Sequence, residues 1–183
     1  VLQCEMDDNS LVVGSKHRKV RCGCKEGYGN HLIGNMQYFN CVPCGLGKTS
    51  YPGNQSACHD CAPGKYANKK GQGACTPCGV GKYSENPGAF EESNCTLCLA
   101  GKYGPTPGKE CIPCPPGTFC PERGMASYKN CAPGKYGKTE QQLNCAFCPP
   151  GHYQTLPGQA FCLACPYGTY LAEHGANSST LCQ

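Results

Sequence analysis

The chain has 183 residues, with 20 Cys, 25 Gly, 16 Pro, no Trp and a formal net charge of +4. Leu, Ile, Val and Phe together number only 24, too few for an enzyme built around one large core. No run of about 18 apolar residues exists to span a membrane, and the charge is too small for a strongly basic nucleic-acid binder.

Cysteine at this density marks a disulfide scaffold. The count is even, so every thiol can be paired, and such bonds persist in oxidising compartments. The expected location is therefore extracellular, secreted or on a cell surface. Three Asn-x-Ser/Thr sequons, at Asn54, Asn94 and Asn177, are candidate glycosylation sites consistent with that route. Val1 opens a mature or trimmed segment, so the lack of a signal peptide carries no information.

Residues 1–40 form an irregular cysteine-rich segment containing Cys4, Cys22 and Cys24. Its one dense basic run, Lys16-His17-Arg18-Lys19-Val20-Arg21, reads either as a charged strand edge or as a contact patch (Lys16, Arg18, Lys19, Arg21) for a sulfated glycan or an acidic partner. Asp7-Asp8 and Glu91-Glu92 read as solvated surface.

From residue 41 to 183 the sequence repeats. Seven Cys-x-x-Cys pairs start at Cys41, Cys58, Cys75, Cys95, Cys111, Cys145 and Cys162, at a period of about 17 residues. Tyr128 stands where the first cysteine of an eighth pair would fall, and Cys131 keeps the second place. After the second cysteine comes x-x-Gly-x-Tyr, as in Cys61-Ala-Pro-Gly-Lys-Tyr66 and Cys131-Ala-Pro-Gly-Lys-Tyr136. Most repeats carry a second turn signal, such as Pro87-Gly88 or Pro157-Gly158. Each repeat is expected to be a small irregular β-hairpin whose return strand ends at the first cysteine of the next pair. Stacked, the hairpins are expected to make an elongated rod with little regular secondary structure and no central core.

The simplest connectivity closes each hairpin on itself. It gives Cys4–Cys22, Cys24–Cys41, Cys44–Cys58, Cys61–Cys75, Cys78–Cys95, Cys98–Cys111, Cys114–Cys120, Cys131–Cys145, Cys148–Cys162 and Cys165–Cys182. In the irregular repeat the rival is Cys114–Cys131 with Cys120–Cys145. Closing a loop of about 15 residues removes about 3 kcal/mol of unfolded-state entropy. Ordering such a repeat costs roughly 20 kcal/mol, so each repeat also needs its neighbours.

The Cys-Pro-x-Gly-x-Tyr and Cys-x-x-Cys grammar resembles the cysteine-rich repeats of ephrin-receptor-like and TNF-receptor-like ectodomains. In the latter, a module beginning Cys-x-x-Gly-x-Tyr is closed by one local disulfide, and the crossed two-disulfide half of those modules is missing here. Cys22-Gly-Cys24-Lys-Glu-Gly27-Tyr28 resembles the second half of an EGF-like module. Cys182-Gln183 reads as the first half of a further Cys-x-x-Cys, so the array is expected to continue in the parent protein.

Zinc competes for Cys-x-x-Cys spacing. The tandem runs on without grouping in fours, and Cys120 breaks the count, so no metal and no cofactor is expected. A redox Cys-x-x-Cys needs a βαβ context that is missing. His17, His31, His59, His152 and His174 share no spacing and read as exposed loop residues. Lys48, Lys65, Lys82, Lys102 and Lys135 follow the turn glycine of their repeats and could line one face. Tyr66, Tyr83, Tyr103, Tyr136, Tyr153 and Tyr170 read as structural. No catalytic residue is assigned. The expected function is a non-catalytic extracellular spacer or filament component. Its partners would be other protein chains, copies of itself included; the alternative is the ligand-binding ectodomain of a receptor.

Overall fold

A computed structural model describes residues 2–6, 20–30, 41–51 and 57–183. Among the described residues there are nine two-stranded antiparallel sheets and two single 3-10 turns. The strands are mostly two residues long, because each repeat has only four or five residues between its turn glycine and its next bend. The chain divides into two compact units, Val1–Cys78 with Ser84–Cys95, and Gly79–Tyr83 with Thr96–Gln183.

In the first unit, Leu2–Met6 pairs with Val20–Cys24, setting the backbone of Cys4 opposite that of Cys22. The proposed bond between those two cysteines lies outside the described residues. Tyr28–Asn30 pairs with Cys41–Pro43, Lys48–Thr49 with His59–Asp60, and Lys65–Tyr66 with Thr76–Pro77. The second unit holds five such pairs, from Lys82–Tyr83 with Thr96–Leu97 to His152–Tyr153 with Leu163–Ala164.

The register corrects one expectation. In Lys48↔Asp60 and Lys135↔Phe147, the return strand occupies the two residues inside the Cys-x-x-Cys, not the segment before it. The first cysteine bonds the hairpin that ends and the second bonds the one that begins. The intervening dipeptide is thereby pinned at both ends and free to complete a ladder with the residues after the turn glycine.

Nine disulfides link cysteines that are neighbours in the sequence, from Cys24–Cys41 to Cys165–Cys182, with Cα–Cα distances of 5.5 to 6.3 Å. Cys114 bonds Cys120, so the rival exchange with Cys131 and Cys145 does not occur. Two of the bonds with a separation of 17 rather than 14, Cys78–Cys95 and Cys165–Cys182, accommodate the extra length in the 3-10 turns Glu92–Asn94 and Ser179–Leu181.

Among the described residues, disulfides and mostly small side chains constitute the interior, with a few buried polar ones such as Thr118 and Gln154. Every buried apolar residue described is a Cys or an Ala, whereas large ones such as Leu97, Phe147, Phe161 and Tyr167 are exposed. With so little apolar area removed from water, order must come from cross-links and backbone hydrogen bonds. The backbone bonds recur at each junction. Counting from the second cysteine of a pair, the turn glycine at position 3 donates to the carbonyl of position 6 in the next repeat. In the first unit these bonds are Gly27 to Ser50, Gly47 to Ala67 and Gly64 to Ser84, at 3.3, 2.8 and 2.8 Å. In the second they include Gly101 to Cys120, Gly117 to Gly137 and Gly134 to Gln154, each 2.8 Å. The glycine carbonyl accepts in return from the cysteine N–H of the following repeat, as in Cys61 to Gly47 and Cys131 to Gly117. Cys24-Lys-Glu-Gly27 makes the same contacts, with Cys44 donating to Gly27.

Candidate interaction surface

The turn glycines show why the junction needs this residue. Gly117 has φ +82°, and a Cβ there would overlap the carbonyl of Gly158, two repeats along. The hairpin therefore touches its second neighbour as well as its first, which the spacing alone did not reveal. Position 6 is small in most repeats for a related reason, with Gln154 and Leu171 the larger exceptions. Ser50, Ala67, Ser84 and Cys120 are buried there. At Gly104 and Gly137 a Cβ would lie 3.0 and 3.2 Å from the sulfur of Cys98 and Cys131 respectively.

That geometry explains the odd cysteine. A thiol at position 6 points at the sulfur of its own repeat's second cysteine, so Cys120 closes onto Cys114. Tyr128, in the vacated cysteine place, instead packs edge-on to Tyr103 with ring centroids 5.2 Å apart. The signal for this in the sequence is the run of small residues at position 6 in most repeats.

The lysines that follow the turn glycine stand across the ladder from the residue before the next repeat's second cysteine. Their partners differ with that residue. Lys48 Nζ meets Asp60 Oδ1 at 2.7 Å, Lys135 Nζ lies 4.4 Å from the Phe147 ring centroid, and Lys65 and Lys102 face prolines in the register. The lysines thus share a hairpin position but not one role.

Two of the histidines are strand residues and not loop residues. His59 is half-buried and stacks on Tyr51, with ring centroids 4.8 Å apart. His152 is half-buried, its Nδ1 3.1 Å from the Pro150 carbonyl. The hairpin ladder recruits whatever residue falls at those positions. His174 is exposed, while His17 and His31 lie outside the described residues.

The predicted modification and charge sites fall as follows. Asn54 and the side chains of Lys16, Arg18, Lys19 and Arg21 lie outside the described residues. Asn94 is half-buried and its Oδ1 accepts the Phe90 and Glu91 N–H groups at 3.0 and 3.1 Å. Asn177 is exposed. Glu91 and Glu92 are exposed.

Each unit carries an open, shallow groove. That of the first, about 260 Å³, is lined by Glu26, Tyr51, His59, Asp60 and Lys65 among others. That of the second, about 330 Å³, is lined by Phe119, Asn130, Lys135 and Asn144 together with Ala132 and Cys145. Such open walls, mixed polar and apolar, suit contact with another surface better than enclosure of a small molecule. No group of three or more metal-ligating side chains occurs among the described residues. No helix among them is long and apolar enough to cross a membrane.

A family model described as tyrosine-protein kinase ephrin type A/B receptor-like matches residues 47–95 and 134–182, just over half the chain. The chain belongs to this family of cysteine-rich repeats. No curated protein matches it. Family and disulfide density together point to an extracellular, receptor-type interaction module with protein partners.

Proposed function

We propose that the chain is a non-catalytic structural and interaction module outside the cell. It acts as a disulfide-stapled spacer or filament component, making lateral contacts with other protein chains, copies of itself included. The observation that carries this reading is the inversion of the usual core. Cysteine and alanine are the buried apolar residues described, while Phe147 and Phe161 are 58% and 60% exposed. Large apolar side chains on a covalently fixed frame are suited to burial against a partner, because little ordering entropy remains to oppose binding. The basic run Lys16, Arg18, Lys19 and Arg21 belongs to the same reading as a contact for a sulfated glycan or an acidic partner.

Sedimentation velocity of the oxidised chain across a hundredfold concentration range tests it. The weight-average sedimentation coefficient should rise with concentration, and changing Phe147 and Phe161 to Ser should suppress the rise. A strictly monomeric chain that binds a soluble ligand saturably, one to one, would establish the second reading, a receptor's ligand-binding ectodomain, which the family match favours.

A further inference from the structure

We infer that Asn177 is an N-linked glycan acceptor and that Asn94, despite its sequon, is not. The inference rests on the extracellular reading above. The two asparagines lie in corresponding repeats, those with the 17-residue cysteine separation and a 3-10 turn. Their places within the repeat differ. Ala89 and Ala176 occupy the same position, both buried, each forming a parallel bridge to the preceding repeat's Tyr66 or Tyr153. The next residue is Phe90 in one repeat and Asn177 in the other, and both are exposed. That position is thus turned to water in both repeats, and a bulky polar substituent on it displaces nothing.

Asn94 sits four residues further on, inside the 3-10 turn. Its carboxamide is fixed by two backbone N–H groups, and the middle residue of its sequon, Cys95, is buried and bonded to Cys78. The Thr96 hydroxyl, which the transfer needs, donates to the Tyr83 carbonyl at 3.1 Å. In the folded repeat, then, Cys95 is buried, and the Asn94 carboxamide and the hydroxyl of the exposed Thr96 are both engaged by the backbone. Around Asn177 the corresponding groups stay available. Ser178 is occupied as the cap of the turn, its Oγ accepting from the Thr180 N–H, but Ser179, the residue the sequon requires, is exposed.

The donor is a lipid-diphosphate-linked oligosaccharide. Asn177 Nδ2 attacks C1 of its first N-acetylglucosamine, and the N–C bond forms as the C1–O bond to diphosphate breaks. The amide proton passes to the transferase's base and the lipid diphosphate departs. No oxidant or reductant is consumed.

The test is secretion of the 183-residue chain from a eukaryotic cell line, followed by intact mass and peptide mapping before and after peptide-N-glycosidase treatment. A glycan mass on the Asn177 peptide and none on the Asn94 peptide is expected. Asn177→Gln and Ser179→Ala should each remove it, while Asn94→Gln should change nothing. A secreted, fully disulfide-bonded chain with bare Asn177, or with sugar on Asn94, would overturn the inference and leave the extracellular reading standing. A chain retained in the cell with free thiols would overturn both.

Discussion

The Gly101 N–H donates to the carbonyl of Cys120 at 2.8 Å, so the cysteine that breaks the pattern occupies a rung of the ladder between repeats. In other repeats that rung carries Ser50, Ala67, Ser84, Gly104, Gly137, Gln154 or Leu171. The Cys114–Cys120 bond is therefore a substitution within the regular architecture, reached from a position whose side chain already faces the sulfur.

Gly104→Cys combined with Cys111→Ser should let Cys98 bond position 104, because a Cβ there already lies 3.0 Å from its sulfur. Non-reducing peptide mapping should find a 98–104 link and no free thiol. A free cysteine at either position would show that Cys120 depends on something peculiar to its own repeat.

The turn glycines should differ in tolerance according to what their Cβ would meet. Gly117→Ala combines a left-handed φ of +82° with overlap on the Gly158 carbonyl, and should cost about 3 kcal/mol. Gly168→Ala has a φ of +83° but no neighbour within 4 Å, and should cost only about 1 kcal/mol of backbone strain. Gly45→Ala, with neither feature, should be near neutral. Denaturant melts of the three variants give the ranking, and equal losses would contradict it.

Gln141 is the one non-glycine described with a left-handed backbone, φ 60°, at the bend where Gly124, Gly158 and Gly175 stand in other repeats. Its N–H still donates to the Cys114 carbonyl at 2.9 Å, so the bend is imposed by the junction. Gln141→Gly should relieve the strain and raise stability by about 1 kcal/mol in the same melts.

Replacing Cys61 and Cys75 together by Ser should cost about 3 kcal/mol, as expected for a loop of roughly 15 residues. Because the Gly47 and Gly88 N–H groups donate to the Ala67 and Cys61 carbonyls across the adjoining junctions, faster amide exchange should appear at both of those glycines as well as within the repeat. Exchange confined to residues 61–75 would mean that the junction bonds add nothing to local stability.

How far the sequence could be read follows from what a one-dimensional period encodes. Cysteine spacing and the x-x-Gly-x-Tyr motif report contacts inside a hairpin, so the local disulfides, the positive-φ turns and the absence of a large core were legible. Contacts between hairpins left a quieter mark. The mostly small residue at position 6 and the approach of Gly117 to Gly158 reflect packing between repeats, where no single residue type is required. His59 was misplaced for a similar reason, since the dipeptide inside Cys-x-x-Cys is variable in sequence yet fixed as a strand. Asn94 and Asn177 carry the same motif, and only their places relative to the 3-10 turn distinguish them.

The most direct test is a non-reducing peptide map of the intact chain. It should return Cys24–Cys41, Cys44–Cys58, Cys61–Cys75, Cys78–Cys95, Cys98–Cys111, Cys114–Cys120, Cys131–Cys145, Cys148–Cys162 and Cys165–Cys182, each joining sequence neighbours. Bonds across distant repeats, or free thiols in the folded chain, would contradict a fold held by local cross-links in place of an apolar core.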